Sequence, residues 1–192
     1  MPKVGMPEIR KPQLIQATIK SIDEYGFSGA TVNIISKNAG VSSAIINHYF
    51  GGKNGLLEET MKSLIREFFA ILKKELKKGK NGNCIDRVMC IVRAGFSQSQ
   101  MNPEIVKVWI GFWASAMHSP VFFRLQKLYS KRLHTALVVE LKTALGRERA
   151  RQVALMVASL IDGMWLRGSL DGKMNRSQSM LLIRQYLVLE LN

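Results

Sequence analysis

Asn47, His48 and Tyr49 stand together in the stretch AGVSSAIINHYFGGKNGLL, Ala39 to Leu57, between a single glycine and the pair Gly51-Gly52. An asparagine amide can pair bidentately with adenine, and a tyrosine hydroxyl or a lysine such as Lys53 can hold a phosphate. Ile46 and Phe50 are four apart, so on a helix they share a face and turn Ser43, Ala44, Asn47 and His48 the other way. Small residues near a helix start let it enter a major groove closely. Ile45 lies about 100° round from Ile46, where it can touch a thymine methyl or lie half buried.

A second group lies in IVKVWIGFWASAMHSP and LIDGMWLRG. Trp109 and Trp113 are four apart, with Phe112 and Met117 flanking, and Asp162 sits in an apolar segment three residues before Trp165. Tryptophans at this spacing most often fill a core, and the Asp-Gly pair can satisfy a backbone or a partner subunit. The sharper reading is a cage for a quaternary ammonium, which has no N–H to donate and is held by aromatic faces and a carboxylate, each ring contributing about 0.5–2 kcal/mol. A buried carboxylate is costly unless something pairs with it.

Helices must position both groups. The pattern predicts one helix over residues 9–25 with Ile9, Leu14, Ala17, Ile22 and Tyr25 on one face, ended by Gly26. Thr31 caps a second, VNIISKNA; Gly40 makes the tight turn after it, and Ser42 caps a third that runs to Phe50. A long amphipathic helix runs from about Asn54 to Lys78. Others follow at about 84–100, 103–117, 121–145, 147–170 and 176–190. No alternation supports a sheet. Two short helices joined through Ala39-Gly40-Val41-Ser42 form a helix-turn-helix, so residues 1–54 read as a DNA-binding domain and 55–192 as a sensing and dimerisation domain. In the last two helices Met156, Leu160, Met164, Leu182, Ile183, Tyr186 and Leu187 are candidates for a dimer interface.

The formal charge of +14 suits a partner made of phosphates, yet only +3 falls within residues 1–55. Charge therefore permits nucleic-acid binding without locating it. Cys84 and Cys90 fall on different helix faces, and no second ligand pair accompanies them, which leaves two reduced thiols; His48 has no neighbours to make a metal site. Neither a metal nor a cofactor is expected. GGKNG fails as a phosphate loop on spacing. No paired carboxylates and no nucleophile with a base suggest an enzyme. No apolar run is expected to cross a bilayer and the first residues lack a signal-peptide centre, so the chain is expected in the cytoplasm.

The segment TVNIISKNAGVSSAIINHYFGGKNGLL resembles the DNA-binding segment of TetR-type repressors, whose pattern is met at Thr31, Ala39 to Ser42, Tyr49, Phe50 and Lys53. It departs at Ala44 and Asn47, where many relatives carry Gly and Tyr, and Asn47 is thereby freer to read a base. The resemblance implies an all-α, TetR-like fold and DNA contacts from Thr31, Ser42, Ser43, Ala44, Asn47, His48, Tyr49 and Lys53. Over the whole chain, with FWASAMHSP and LIDGMWLRG, the sequence is similar to the choline-responsive branch of that family, repressors of glycine betaine synthesis genes. That implies a homodimer, a (pseudo)palindromic operator on double-stranded DNA, and choline as effector, with no membrane partner. A TetR-type repressor answering to an apolar molecule or a polyamine is the alternative. A basic helical protein coating nucleic acid or membrane without sequence preference is another.

Overall fold

The computed structural model describes residues 7–191. Its elements are helices, with no strand among the described residues: α1 (Pro7–Gly29), α2 (Val32–Asn38), α3 (Ser43–Phe50), α4 (Lys53–Lys78), α5 (Cys84–Gly95), α6 (Pro103–Ala116), α7 (Pro120–Leu145), α8 (Arg147–Leu170) and α9 (Arg176–Leu191). The all-α expectation holds. Two compact units divide the chain, one of Met1–Ile65 with Asn102–Leu125, the other of Arg66–Met101 with Gln126–Asn192. The chain passes between them three times, within α4, after Met101 and within α7.

In the first unit α1 buries Leu14, Ile15, Thr18, Ile19 and Ile22, a stripe at 3–4 spacing. Ile9 and Tyr25, read as part of that face, are instead exposed, because they lie towards the ends of the helix, beyond that buried stripe. Gly26 breaks the helix as expected, with non-helical φ 74° and ψ 167°, before a last turn to Gly29. Helix α6 packs along α1, where Lys107 Nζ meets the Asp23 carboxylate at 2.6 Å and the Asp23 carbonyl at 3.1 Å.

The second unit is built on α5, α7, α8 and α9. Helix α5 stops at Gly95, short of the expected 100: Phe96, fully buried, leaves the helical region at φ −101° and ψ 29°, and turns follow to Met101. Arg87 Nη2 donates to Glu140 at 2.8 Å, fastening α5 to α7. Helix α8 buries Ala150, Val153, Ala154, Val157, Ile161 and Trp165 along one stripe.

Contrary to the sequence reading, α8 is long and apolar enough, by length and composition, to cross a bilayer. The reason is that its outward face is apolar as well: Leu155 and Met156 are exposed opposite the buried stripe. Of the interface candidates, Ile183 and Leu187 are buried in the chain's own core on the inner side of α9, while Met156 and Leu182 keep 49% and 45% of their surface.

Candidate functional site

The reader is assembled from short-range interactions. Thr31, in an extended conformation, accepts at Oγ1 from the Ile34 amide at 3.3 Å and so starts α2. Thr31→Ala is expected to lower stability by about 1 kcal/mol in denaturant unfolding. Asn38 Nδ2 donates to Ser21 Oγ at 3.0 Å, holding the end of α2 on α1. The chain then turns at Gly40, whose φ of 64° is left-handed, while the Val41 amide returns to the Ser36 carbonyl at 3.0 Å.

Ser42 takes the N-cap position of α3, but its side chain makes no cap hydrogen bond, so the expected serine cap is one of backbone geometry only. Ile46 is fully buried and anchors α3. Ser42, Ser43, Ala44, Asn47 and His48 are exposed, and Ile45 is half-buried. The His48 ring packs edge-on against Tyr49 with centroids 5.1 Å apart. Lys53 Nζ donates to the Ser28 carbonyl at 2.7 Å, and partial burial holds its pKa below the ordinary lysine value. An ammonium has three donors. Lys53 thus already ties the start of α4 to the end of α1, with donors left for a phosphate.

The aromatic residues read from the sequence fall in different units. Trp109 and Phe112 are buried in the first unit; Phe112 lies 5.7 Å from Phe122, which in turn lies 6.1 Å from Phe27. Trp113 is 6.2 Å from Trp109. Met117, at the end of α6, is 80% exposed. Asp162 and Trp165 stand on α8 in the second unit, where the Trp165 indole N–H donates to the Gln100 carbonyl at 3.2 Å.

Around Asp162 the second unit holds rings that spacing did not single out. Phe68, Phe69 and Tyr129 cluster with centroids 5.1, 5.4 and 6.1 Å apart. Arg132 lies 4.1 Å over the Phe69 ring, so one face of the cluster already attracts a cation. Burial, and then the nearby Asp162 charge, push the Tyr129 phenol up. Desolvation pushes the Asp162 carboxyl up to about 6, and no hydrogen bond or opposite charge among the described residues counters it. The hydroxyls of Ser97 and Ser99 are also buried without a hydrogen-bond partner there.

Residues 14–60 match the model of the tetR family of bacterial regulatory proteins, and residues 85–192 match that of the C-terminal domain of BetI-type transcriptional repressors. The chain belongs to the TetR family. Within that family it is similar to the HTH-type transcriptional regulator BetI of Vibrio vulnificus, 45% identical over 188 residues, covering 97% of this chain and 95% of that one. BetI of Yersinia pestis (strain Pestoides F) is 45% identical over 193 residues, covering 100% and 98%. Among solved structures, a putative transcriptional regulator of Pseudomonas aeruginosa PAO1 superposes with a TM-score of 0.85 at 27% identity, covering 96% of this chain and 92% of that one. A putative regulator of Saccharomonospora viridis, solved in complex with choline, shares the fold with a TM-score of 0.74 at 19% identity, covering 95% and 94%.

This TetR-family chain is therefore a BetI-type helix-turn-helix transcriptional repressor and not an enzyme. Among the described residues no group of His, Cys, Asp and Glu is placed to hold a metal ion. In the reader the helix limits, the Gly40 turn and the exposed face of α3 fall where the sequence placed them and the Ser42 side-chain cap does not; the ring cluster of Tyr129, Phe68 and Phe69 was not singled out. Only the adjacency of the two phenylalanines hinted at them, since Tyr129 lies sixty residues further along.

Proposed function

We propose that this repressor controls genes of choline-to-glycine-betaine synthesis and that choline weakens its grip on a two-fold operator. The observation that carries the effector is Asp162, a half-buried carboxylate lacking a compensating partner among the described residues, beside the Tyr129 ring. A charge in that position is unfavourable until a cation arrives. A quaternary ammonium suits it: the carboxylate supplies charge, and Tyr129 and Trp165 supply aromatic faces. The relatives named BetI support the same reading, and a fold neighbour holds choline. Trp109, Phe112, Trp113 and Met117 remain aromatic and thioether candidates from the sequence; in the first unit Trp109 and Phe112 have core packing as a sufficient role.

The reader is residues 1–54 and the sensor 55–192. In the reader Asn47 takes a base edge, with Ser43, Ala44 and His48 beside it, while Thr31, Ser42, Tyr49 and Lys53 meet phosphates. One recognition helix per chain and a two-fold operator call for a homodimer, working in the cytoplasm where the DNA lies. The exposed apolar residues of α8 and α9, Leu155, Met156, Leu181 and Leu182, supply its interface. Choline shifts the equilibrium only by its differential affinity for the DNA-competent and DNA-incompetent states, about 1–3 kcal/mol for typical coupling.

Fluorescence anisotropy of DNA from the protein's own upstream region, against scrambled DNA at fixed salt, tests this reading. Operator preference that choline weakens and its neutral carbon isostere leaves alone is the expected result. Asn47→Ala should reduce the preference about tenfold or more, the worth of a bidentate base contact. Preference indifferent to choline would discard the effector. Equal affinity for both DNAs would replace the repressor by a non-specific coating protein.

A further inference from the structure

Part of the charge that residues 1–55 do not hold lies in one segment. Between residues 127 and 151 the chain has seven basic and two acidic residues. Elsewhere in the second unit three arginines are paired with acids: Arg93 with Glu75, Arg184 with Asp86 and Arg87 with Glu140. Both acids of the 127–151 segment are engaged, Glu140 with Arg87 and Glu148 loosely with Arg151 at 3.5 Å. Arg149 pairs with Glu190, and Arg132 lies over Phe69. Lys131, Lys142 and Arg147 have no ion pair among the described residues.

Those three cations line one cleft. Lys131, Val138 and Lys142 recur at 7 and 4 residues along a face of α7, and Arg147 and Arg151 at 4 along a face of α8. The two helices are joined through Gly146, and His134 Nε2 lies 3.2 Å from the Arg151 carbonyl, fastening α7 to α8. The cleft between them is about 870 Å³, with Val138 and Val139 forming an apolar wall and no carboxylate in its lining.

Folding alone gives no reason for this arrangement. Like charges converge, and Arg147 stands in the first turn of α8, the helix end where a cation is disfavoured, with Glu148 beside it turned to Arg151 and not to Arg147.

We propose that the α7–α8 cleft is a second ligand site, independent of the choline reading, that takes the clustered phosphates of a nucleotide-sized anion. Lys131, Lys142, Arg147 and Arg151 hold the phosphates, and Val138 and Val139 meet the apolar remainder. The volume lies within the range of small-molecule sites. Concavity and the valine wall favour a small ligand over the backbone of a duplex.

The test is calorimetry of the full-length protein with magnesium-free ATP and with inorganic tripolyphosphate, repeated on Lys142→Gln/Arg147→Gln. Both residues are at the surface, so the variant should fold, which its circular dichroism checks, and it should keep wild-type operator affinity. Binding of ATP to the wild type that weakens about tenfold or more in the variant is expected, two charge-assisted contacts being removed. Absence of ATP binding, or binding that the variant leaves unchanged, would overturn the proposal. A variant that loses affinity only for non-operator DNA would also overturn it, since the cleft would then be a contact for nucleic-acid backbone.

Discussion

Gly55→Ala is expected to reduce operator affinity by about 100-fold while the helical content stays near that of the wild type. On propensity alone the change should help, since alanine is favoured over glycine in a helix by about 1 kcal/mol. Geometry reverses the sign. Gly55 is the third residue of α4, and a methyl there would overlap the carbonyl oxygen of Phe50 and reach within 3.0 Å of its carbonyl carbon. Phe50 closes the recognition helix, and Gly51, left-handed at φ 69°, returns its amide to Asn47 at 2.9 Å. The obstacle is backbone, so no rotamer change relieves it. Helix α3 must move relative to α4, or the first turn of α4 must unwind. Base readout tolerates neither, because hydrogen bonds weaken steeply outside a few tenths of an ångström and a bidentate base contact is worth about 1–3 kcal/mol. A dimer loses that contact in both half-sites. Anisotropy with operator DNA measures the loss. Affinity within about twofold of wild type would show that the seat of α3 on α4 does not set the pose of the recognition helix.

That coupling of α3 to α4 was open to the sequence only in part, and the reason divides what was legible from what was not. Caps, glycine turns and i, i+4 faces are local, so Thr31, Gly40, Ile46 and the exposed set Ser43, Ala44, Asn47 and His48 fell where the pattern placed them. The family model over residues 14–60 adds nothing to that geometry. Periodicity misled where a helix overhangs its packing surface, as at Ile9 and Tyr25. It also misled where tertiary burial ends a helix early, as Phe96 does to α5. It was silent where partners are distant along the chain. Trp109 and Trp113 were paired by spacing with Phe112 flanking, yet Phe112 finds a neighbour in its own unit on α7, Phe122. The ring cluster of Phe68, Phe69 and Tyr129 joins two helices that no local period connects. Asp162 was picked out by its polarity within an apolar run, a signal that survives because a lone carboxylate there is expensive wherever the fold places it.

The same expense makes Asp162→Asn the second large effect: a gain in stability of about 2–3 kcal/mol at neutral pH, and a loss of choline affinity of about 100-fold. The carboxyl has a pKa raised to about 6 from an ordinary 3.8, and each pKa unit corresponds to about 1.4 kcal/mol. For an acid whose folded pKa is raised, the folded state keeps a proton that the unfolded state has lost between those two values. Wild-type stability should therefore fall as pH rises from about 4 to 6 and stay at the lower level above. Asparagine cannot ionise, so the variant should show no such fall, and denaturant unfolding at pH 5 and pH 7.5 compares the two. Choline reverses the balance. A cation beside the carboxylate favours the ionised form, and removing one partner of a desolvated charge pair costs about 2–5 kcal/mol. Choline affinity in the wild type should then weaken as pH drops below about 6, approaching tenfold per unit, while the residual affinity of Asp162→Asn stays flat. Operator binding without choline should be unchanged in the variant. A wild type whose choline affinity ignores pH between 5 and 7 would mean that another group supplies the counter-charge. The stability gain would then remain as the sole consequence of a buried carboxylate.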